Sequence, residues 1–284
     1  MKVLLLGARG QLGNDLCRFL NKTDSILLNH SDLEVTDIES VRSNLKEYLP
    51  EIVVHTAAYV RVDDCEINQD IAFKINAFGT QNMAIVSQEI GAKLIYISTD
   101  YVFDGENTIP YRESAKTNPI NIYGKSKLAG EKFVQDICEK YLIVRGSGLF
   151  GIAGSSGKGG NFVETILNLG KIRNTLSVVN DQIFSPTYTV DMAQTIMQLI
   201  SSDQNGIFHF TNSGSCSWFE FAAKIIDMAK LNTQVIPISS QQYQQKAKRP
   251  KYSVLDNHKL KQLGFEKTRS WETALAAYFK EKGY

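Results

Sequence analysis

A chain of 284 residues is long enough for one large core or two fused ones. Its 31 Lys and Arg against 30 Asp and Glu leave a net charge of +1, which removes any electrostatic case for nucleic acid or an anionic membrane as partner. The four cysteines (Cys17, Cys65, Cys138, Cys216) lack C-x-x-C spacing and the four histidines (His30, His55, His209, His258) lack metal spacing, so reduced thiols, a cytoplasmic location and no metal site are expected.

The first apolar run, Lys2–Leu6, reads as a buried strand, too short to span a bilayer. It closes on Gly-Ala-Arg-Gly-Gln-Leu-Gly, Gly7 to Gly13. Strand, glycine-rich turn and helix in that order can cradle a dinucleotide pyrophosphate, because backbone N–H groups approach the phosphates and the helix offers its positive end. Gly7, Arg9, Gly10, Gln11, Leu12 and Gly13 are the expected cofactor contacts. A second strand, Ser25–Leu28, ends in Asn29-His30-Ser31 without an immediate carboxylate. A carboxylate there would bind ribose hydroxyls and repel a 2′-phosphate. Its absence, with Arg9 nearby, points to NADPH, with NADH tolerated. Asp37 could reach the adenine amino group or cap a helix beginning at Ile38.

Ile52–His55 is the third strand, and Ile71–Ile90 has a helical pattern through Ala72, Ile75, Met83 and Val86. Lys93–Ile97 is the fourth strand and closes on Ser98-Thr99-Asp100. Tyr123 and Lys127 follow at i and i+4 of a helical stretch, so they share one face. That spacing recurs by chance; its company with a glycine turn and a strand-terminal Ser-Thr makes it a site. Tyr141–Val144 is a fifth strand. The alternation predicts an α/β, Rossmann-type doubly wound parallel sheet, with every motif at a strand's carboxyl end.

After Arg145 the pattern changes. Seven glycines between Gly146 and Gly160 read as a long mobile loop. A helix over Phe162–Leu169 and a strand over Leu176–Val179 follow. A helix over Val190–Ile200 and a strand over Ile207–Phe210 return to the main sheet. Ser217 can cap a helix over Trp218–Ala229, and Ser270 one over Trp271–Lys280. The expected division is 1–151 with 187–212 as the NAD(P)-binding domain, and 152–186 with 213–284 as a small discontinuous substrate domain covering its open end.

Ser98-Thr99-Asp100-Tyr101-Val102-Phe103-Asp104-Gly105 resembles the signature of the dTDP-4-dehydrorhamnose reductase family, extended short-chain dehydrogenases/reductases of nucleotide-sugar synthesis. Ala57-Ala58-Tyr59 with Val62-Asp63, Asn161-Phe162-Val163, Asp181-Gln182, Ser185–Thr189 and Arg249-Pro250 agree in order, so the resemblance runs almost end to end. It implies NAD(P)H-dependent reduction of the 4-keto group of a nucleotide-linked 6-deoxyhexose, dTDP-4-dehydro-L-rhamnose first among them. It implies Tyr123 as proton donor, Lys127 as its partner and ribose ligand, and Thr99 as the hydroxyl on the carbonyl. Ala57, Ala58 and Tyr59 fall to the cofactor. Asp63, Tyr101 and Asn161 fall to the sugar and Arg249 to the diphosphate. A homodimer is compatible with it. Lys127 and the oxidised nicotinamide should pull the Tyr123 phenol, ordinarily near pKa 10, towards neutrality.

Three departures stand out. The family's Arg-Thr-Ser-Trp reads Arg145-Gly146-Ser147-Gly148 here, a Thr is common at Val60, and a Gly is common at Phe184. The family's Trp contacts sugar, so Gly148 should face the sugar; either another side chain of the Gly146–Gly160 loop folds in when substrate binds, or the pocket takes a differently configured or bulkier sugar, with weaker discrimination among 4-keto-6-deoxysugars. Related dehydratases carry Thr-Asp-Glu; Tyr101 stands in place of that Glu and argues for plain reduction. Asp100 could be only a structural acceptor. The alternatives are a reductase or epimerase of another nucleotide sugar, or a non-catalytic NADP-binding regulatory subunit like that of methionine adenosyltransferase.

Overall fold

The computed structural model describes residues 1–154, 159–265 and 268–284. The strands are β1 (Val3–Leu6), β2 (Ser25–Leu28), β3 (Ile52–His55), β4 (Lys93–Thr99), β5 (Tyr141–Gly146), β6 (Leu149–Phe150), β7 (Thr175–Val179), β8 (Ile183–Phe184), β9 (Thr187–Tyr188), β10 (Gly206–His209), β11 (Cys216–Ser217) and β12 (Gln234–Ile238). Helices α1 (Gln11–Cys17), α2 (Ile38–Tyr48), α3 (Val62–Ile67), α4 (Gln69–Phe73), α5 (Thr80–Glu89) and α6 (Ile122–Ile137) belong to the first half. The second half adds α7 (Phe162–Gly170), α8 (Thr189–Ile200), α9 (Trp218–Met228), α10 (Ser240–Tyr243), α11 (His258–Gln262) and α12 (Trp271–Lys282).

Six strands form one parallel sheet in the order β10-β5-β4-β3-β1-β2. Successive side chains of a strand point to opposite faces. Leu5, Val54, Ile95 and Val144 therefore pack on one side against Leu12 and Leu16 of α1 and Met192, Ile196 and Leu199 of α8. Leu4, Leu6, Val53, Leu94 and Ile143 pack on the other against α2, α5 and α6 through Val41, Leu45, Met83, Val86 and Val134. The chain leaves β1 outward to β2 and returns to β3 on the other side, so the strand order reverses between β1 and β3. In such sheets ligands bind outside the carboxyl ends at that reversal.

A second core gathers β7, α7, α9 and α12 around Phe150, Tyr188, Phe221, Trp271 and Tyr278. Ser217 caps α9 in a capping box with Glu220, and Ser270 caps α12.

Two readings need correction. The helix expected over Ile71–Ile90 is three segments, because a π-helical turn, Lys74–Gly79, joins α4 to α5. Strands β4 and β5 run past their apolar stretches, since Ser98 pairs with Arg145 and Thr99 with Gly146 across the ladder. Within the glycine-rich segment, Leu149–Phe150 pairs in parallel with Thr187–Tyr188, while 155–158 lie outside the described residues. Among the described residues, no helix is long and apolar enough to cross a membrane, and no cluster of potential metal ligands occurs.

Candidate active site

The turn after β1 is built around three glycines with different constraints. Gly7 has φ +92°, a conformation that side chains disfavour. Gly10 donates its N–H to the Gly7 carbonyl at 2.8 Å. A Cβ on Gly13 would collide with that same carbonyl, so α1 can close on the turn only where no side chain stands. Gly10 offers α1 no side-chain cap, which leaves the first helical N–H groups available to an anion. Beside the turn, the Arg9 N–H donates to Asn29 Oδ1 at 2.9 Å. Asp32, exposed, accepts the Asn29 N–H at 2.8 Å, and Glu34 pairs with His30 at 3.2 Å.

This turn lines one cavity of about 1130 Å³ that runs on to the ends of β3, β4 and β5. Gly7, Arg9, Gly10, Gln11, Leu12, Gly13, Ala57, Ala58, Tyr59, Thr99, Tyr101, Tyr123, Lys127, Gly148 and Asn161 all border it. Asn29, His30 and Ser31 do too. The glycine cradle and the absence of a carboxylate immediately after β2 fit a phosphorylated dinucleotide.

Asp37 does not border the cavity. It caps α2 by accepting the Glu39 N–H at 3.0 Å, the second of its two expected roles. Asp63 and Arg249, expected at the sugar and the diphosphate, engage each other. Arg249 Nη2 and Nη1 reach the two Asp63 carboxylate oxygens at 2.9 and 3.1 Å, and the Ala247 N–H adds a third bond at 2.9 Å. Burial raises the Asp63 carboxyl, but the Arg249 fork outweighs it and holds the pKa below the ordinary value. The pair ties the segment before Pro250 to the start of α3. Asn161 is likewise engaged: it caps α7 through the Glu164 N–H and donates to Gln11 Oε1 at 3.0 Å and the Gly151 carbonyl at 2.8 Å.

Tyr123 and Lys127 lie on α6, whose start is fixed by Asn121 accepting the Gly124 N–H at 2.7 Å. Gly124 packs so closely on the Tyr101 carbonyl that a Cβ would collide with it. Tyr101 meets Tyr123 edge-on at 5.9 Å. Burial pushes the Tyr123 phenol well above its ordinary pKa, and a side-chain hydrogen bond with Thr99 only partly opposes it. The expected downward pull came from Lys127 together with an oxidised nicotinamide; without the nicotinamide, burial is the largest effect on the phenol. Lys127 Nζ donates to the Ile97 carbonyl at 2.7 Å and sits 4.0 Å from the centre of the Tyr96 ring. Burial lowers its pKa to about 7, with Glu131 pulling upward. A buried phenol that keeps its proton at pH 7 is suited to give one up only when negative charge develops beside it.

Asp100 and Asn76 support this group. Asp100 is buried and accepts from Ser147 Oγ at 2.8 Å and Thr99 Oγ1 at 3.1 Å. Burial raises its pKa to about 6 against those bonds and one from Ser253. Asn76, in the π-helical turn, accepts the Tyr59 N–H at 2.8 Å and donates to the Tyr59 carbonyl and Ser126 Oγ at 3.0 Å each. It clamps the cofactor-side turn to α6, and no sequence period marks it. Glu131, four residues after Lys127, is another unmarked residue: it binds Arg145 at 2.6 Å and Ser98 Oγ at 2.5 Å.

Comparison with known proteins agrees over the whole length. The chain matches the RmlD substrate binding domain family over residues 1–283. It is 42% identical over 283 residues to the spore coat polysaccharide biosynthesis protein SpsK of Bacillus subtilis (strain 168), covering 99% of this chain and 98% of that one. It is 35% identical to the dTDP-4-keto-6-deoxy-D-glucose reductase of Streptomyces niveus, covering 97% and 96%. The crystal structure of a dTDP-4-dehydrorhamnose reductase from Bacillus anthracis str. Ames in complex with NADP is similar at a TM-score of 0.95 and 45% identity, covering 99% and 100%. By its motifs, its parallel sheet and these full-length matches, the chain belongs to the dTDP-4-dehydrorhamnose reductase family of extended short-chain dehydrogenases/reductases.

Proposed function

We propose that this chain is an NADPH-dependent oxidoreductase that reduces the 4-keto group of a nucleotide-linked 6-deoxyhexose, with dTDP-4-dehydro-L-rhamnose giving dTDP-L-rhamnose as the principal reaction. The observation that carries the reading is that Thr99, Tyr123 and Lys127 border the same cavity as the glycine cradle. A nicotinamide, when bound, supplies the hydride. Tyr123 Oη gives its proton to the carbonyl oxygen as the carbon accepts hydride, so the C=O becomes CH–OH and the phenol becomes a phenolate. The Thr99 hydroxyl, which donates to Asp100 without substrate, turns its one O–H to the carbonyl, orients it and meets its developing charge. Lys127 has two N–H bonds left beyond the one to Ile97, available to ribose hydroxyls and to the nascent phenolate.

The Rossmann part of the protein, 1–151 with 187–212, would then bind the dinucleotide, and 152–186 with 213–284 the sugar nucleotide, in the cytoplasm. Following NADPH oxidation by its absorbance with a panel of nucleotide 4-keto-6-deoxyhexoses tests the reading. Oxidation with at least one 4-keto sugar, and product carrying a new secondary alcohol, is the expected result. NADPH binding without turnover of any of them overturns it in favour of a non-catalytic role.

A further inference from the structure

Lys127 is held from behind by a side chain that the reaction itself does not use. Its Nζ lies 4.0 Å from the centre of the Tyr96 ring, and it donates to the carbonyl of Ile97, the next residue on β4, at 2.7 Å. Two consecutive residues of one strand thus hold the ammonium, one by its ring and one by its backbone. Both side chains of the pair are buried, Tyr96 at 0% exposure and Lys127 at 2%.

The ring is itself fixed in place. Tyr96 Oη donates to the Asn76 carbonyl in the π-helical turn at 3.1 Å. Gly130 stands almost one turn after Lys127 on α6, and a Cβ there would lie 2.6 Å from Tyr96 Oη and 2.5 Å from the Asn76 carbonyl. α6 can close on the ring, and bring Lys127 over it, only because position 130 carries no side chain. From β3, the His55 ring stacks on Tyr96 with centroids 5.6 Å apart and planes 29° from parallel.

The charges around Lys127 make the ring matter. His55 is neutral, because burial and the Lys127 charge hold its pKa down at about 3. Tyr123 keeps its proton. Glu131 on α6 favours the ammonium, but it is also bonded to Arg145 of β5 at 2.6 Å, which answers much of its charge. Burial favours the neutral amine. An aromatic face carries negative charge density that attracts a cation and not an amine, and the attraction is larger where water is excluded.

We propose that Tyr96 is a positioning residue for Lys127, its ring holding that side chain as a charged ammonium at the edge of the cavity. The use made of the charge, on ribose hydroxyls and the nascent Tyr123 phenolate, rests on the functional reading above. Tyr96 does not border the cavity and acts only through Lys127.

Three replacements separate the electronics of the ring from its packing: Tyr96→Phe, the same Phe carrying ring fluorines, and Tyr96→Leu. Each is compared with the wild type for thermal midpoint and for NADP⁺ affinity, by calorimetry at pH values on both sides of neutrality. Wild-type affinity should begin to fall as pH rises past about 7, where Lys127 gives up its proton, and Lys127→Met should show no such break. Tyr96→Phe keeps the aromatic face and should keep the break where it is. Fluorination withdraws density from that face at almost unchanged shape, so the break should move down by roughly one pH unit, and Tyr96→Leu should move it at least as far. A break that stays in place in the fluorinated and Leu variants, whatever their thermal midpoints, makes Tyr96 a packing residue and overturns the proposal. So does a break that Lys127→Met retains. A wild type that binds NADP⁺ with the expected break but turns over no 4-keto-6-deoxyhexose overturns the functional reading alone, because the calorimetry involves no sugar.

Discussion

Replacing Glu131 by Gln tests how the buried polar centre behind the site is held. Glu131 is 0% exposed and Arg145 2%. Arg145 reaches Glu131 through Nη2 at 2.6 Å and Nε at 2.9 Å, and Ser98 Oγ adds a third bond at 2.5 Å. Gln has nearly the same shape but no charge, so the guanidinium is left buried without a counter-charge. His209, 3.4 Å from Arg145 Nη1, is kept neutral by burial and the Arg145 charge, which hold its pKa down at about 3; its ring can accept a hydrogen bond but supplies no counter-charge. Breaking one side of a buried pair costs about 3–5 kcal/mol. In a chain of this size that is a fall in Tm of roughly 6–20 °C. Urea unfolding at pH 7 and thermal melts measure it. The double variant Glu131→Leu/Arg145→Met removes both charges and should regain most of the loss, since apolar replacement of a buried pair is close to neutral. A Glu131→Gln loss below about 1 kcal/mol, the range of exposed pairs, would refute the reasoning. So would a double variant no more stable than the single one. Glu131 also pulls the Lys127 pKa upward, so in Glu131→Gln the pH at which Lys127 titrates should fall.

Tyr123→Phe should lower turnover by about 10²-fold or more while leaving NADPH affinity intact, because it removes the proton donor and keeps the ring; single-turnover kinetics and calorimetry separate the two, and near-wild-type turnover would exclude Tyr123 as the donor. Gly13→Val should abolish measurable NADPH binding and lower Tm, because even a Cβ at this position collides with the Gly7 carbonyl; unchanged affinity by calorimetry would sink the cradle. Asp100 binds its proton more tightly folded than unfolded, with a pKa raised from 3.8 to about 6 by burial. Stability should therefore fall as pH rises from about 4 to 6, by about 3 kcal/mol in all, and Asp100→Asn should lack that slope; parallel urea-derived stability curves for the two proteins would contradict it.

What the sequence made legible is what short-range physics decides. The parallel strands are apolar runs, and their order of alternation with helices predicts the sheet. The glycine cradle lies within seven residues, and Tyr123 and Lys127 within one turn of a helix. Asp37 shows the limit even at short range. It had two chemically sound roles, and the cap is the one that adjacent α2 N–H groups can supply without any ligand. Beyond that range the sequence was silent. The Asp63–Arg249 fork joins residues 186 apart in sequence, and each residue separately looked like a ligand for substrate. Glu131 and Arg145 come from a helix and a strand whose polar ends meet only after the sheet has formed.

Gly148 is the most instructive case, because the departure itself was visible and its consequence was not. Reading a glycine as open space assumes that its surroundings stay as they are elsewhere. Protein interiors conserve volume more strictly than they conserve side chains, since a void forfeits contacts on every wall. A large aromatic lost from a packed cavity wall therefore predicts a gain close by in space. Phe184 stands 36 residues further along the chain, and its ring lies where a side chain on Gly148 would begin. The space beside Gly148 is filled by a stacked aromatic pair, Phe184 on Trp218, anchored on β8 and α9.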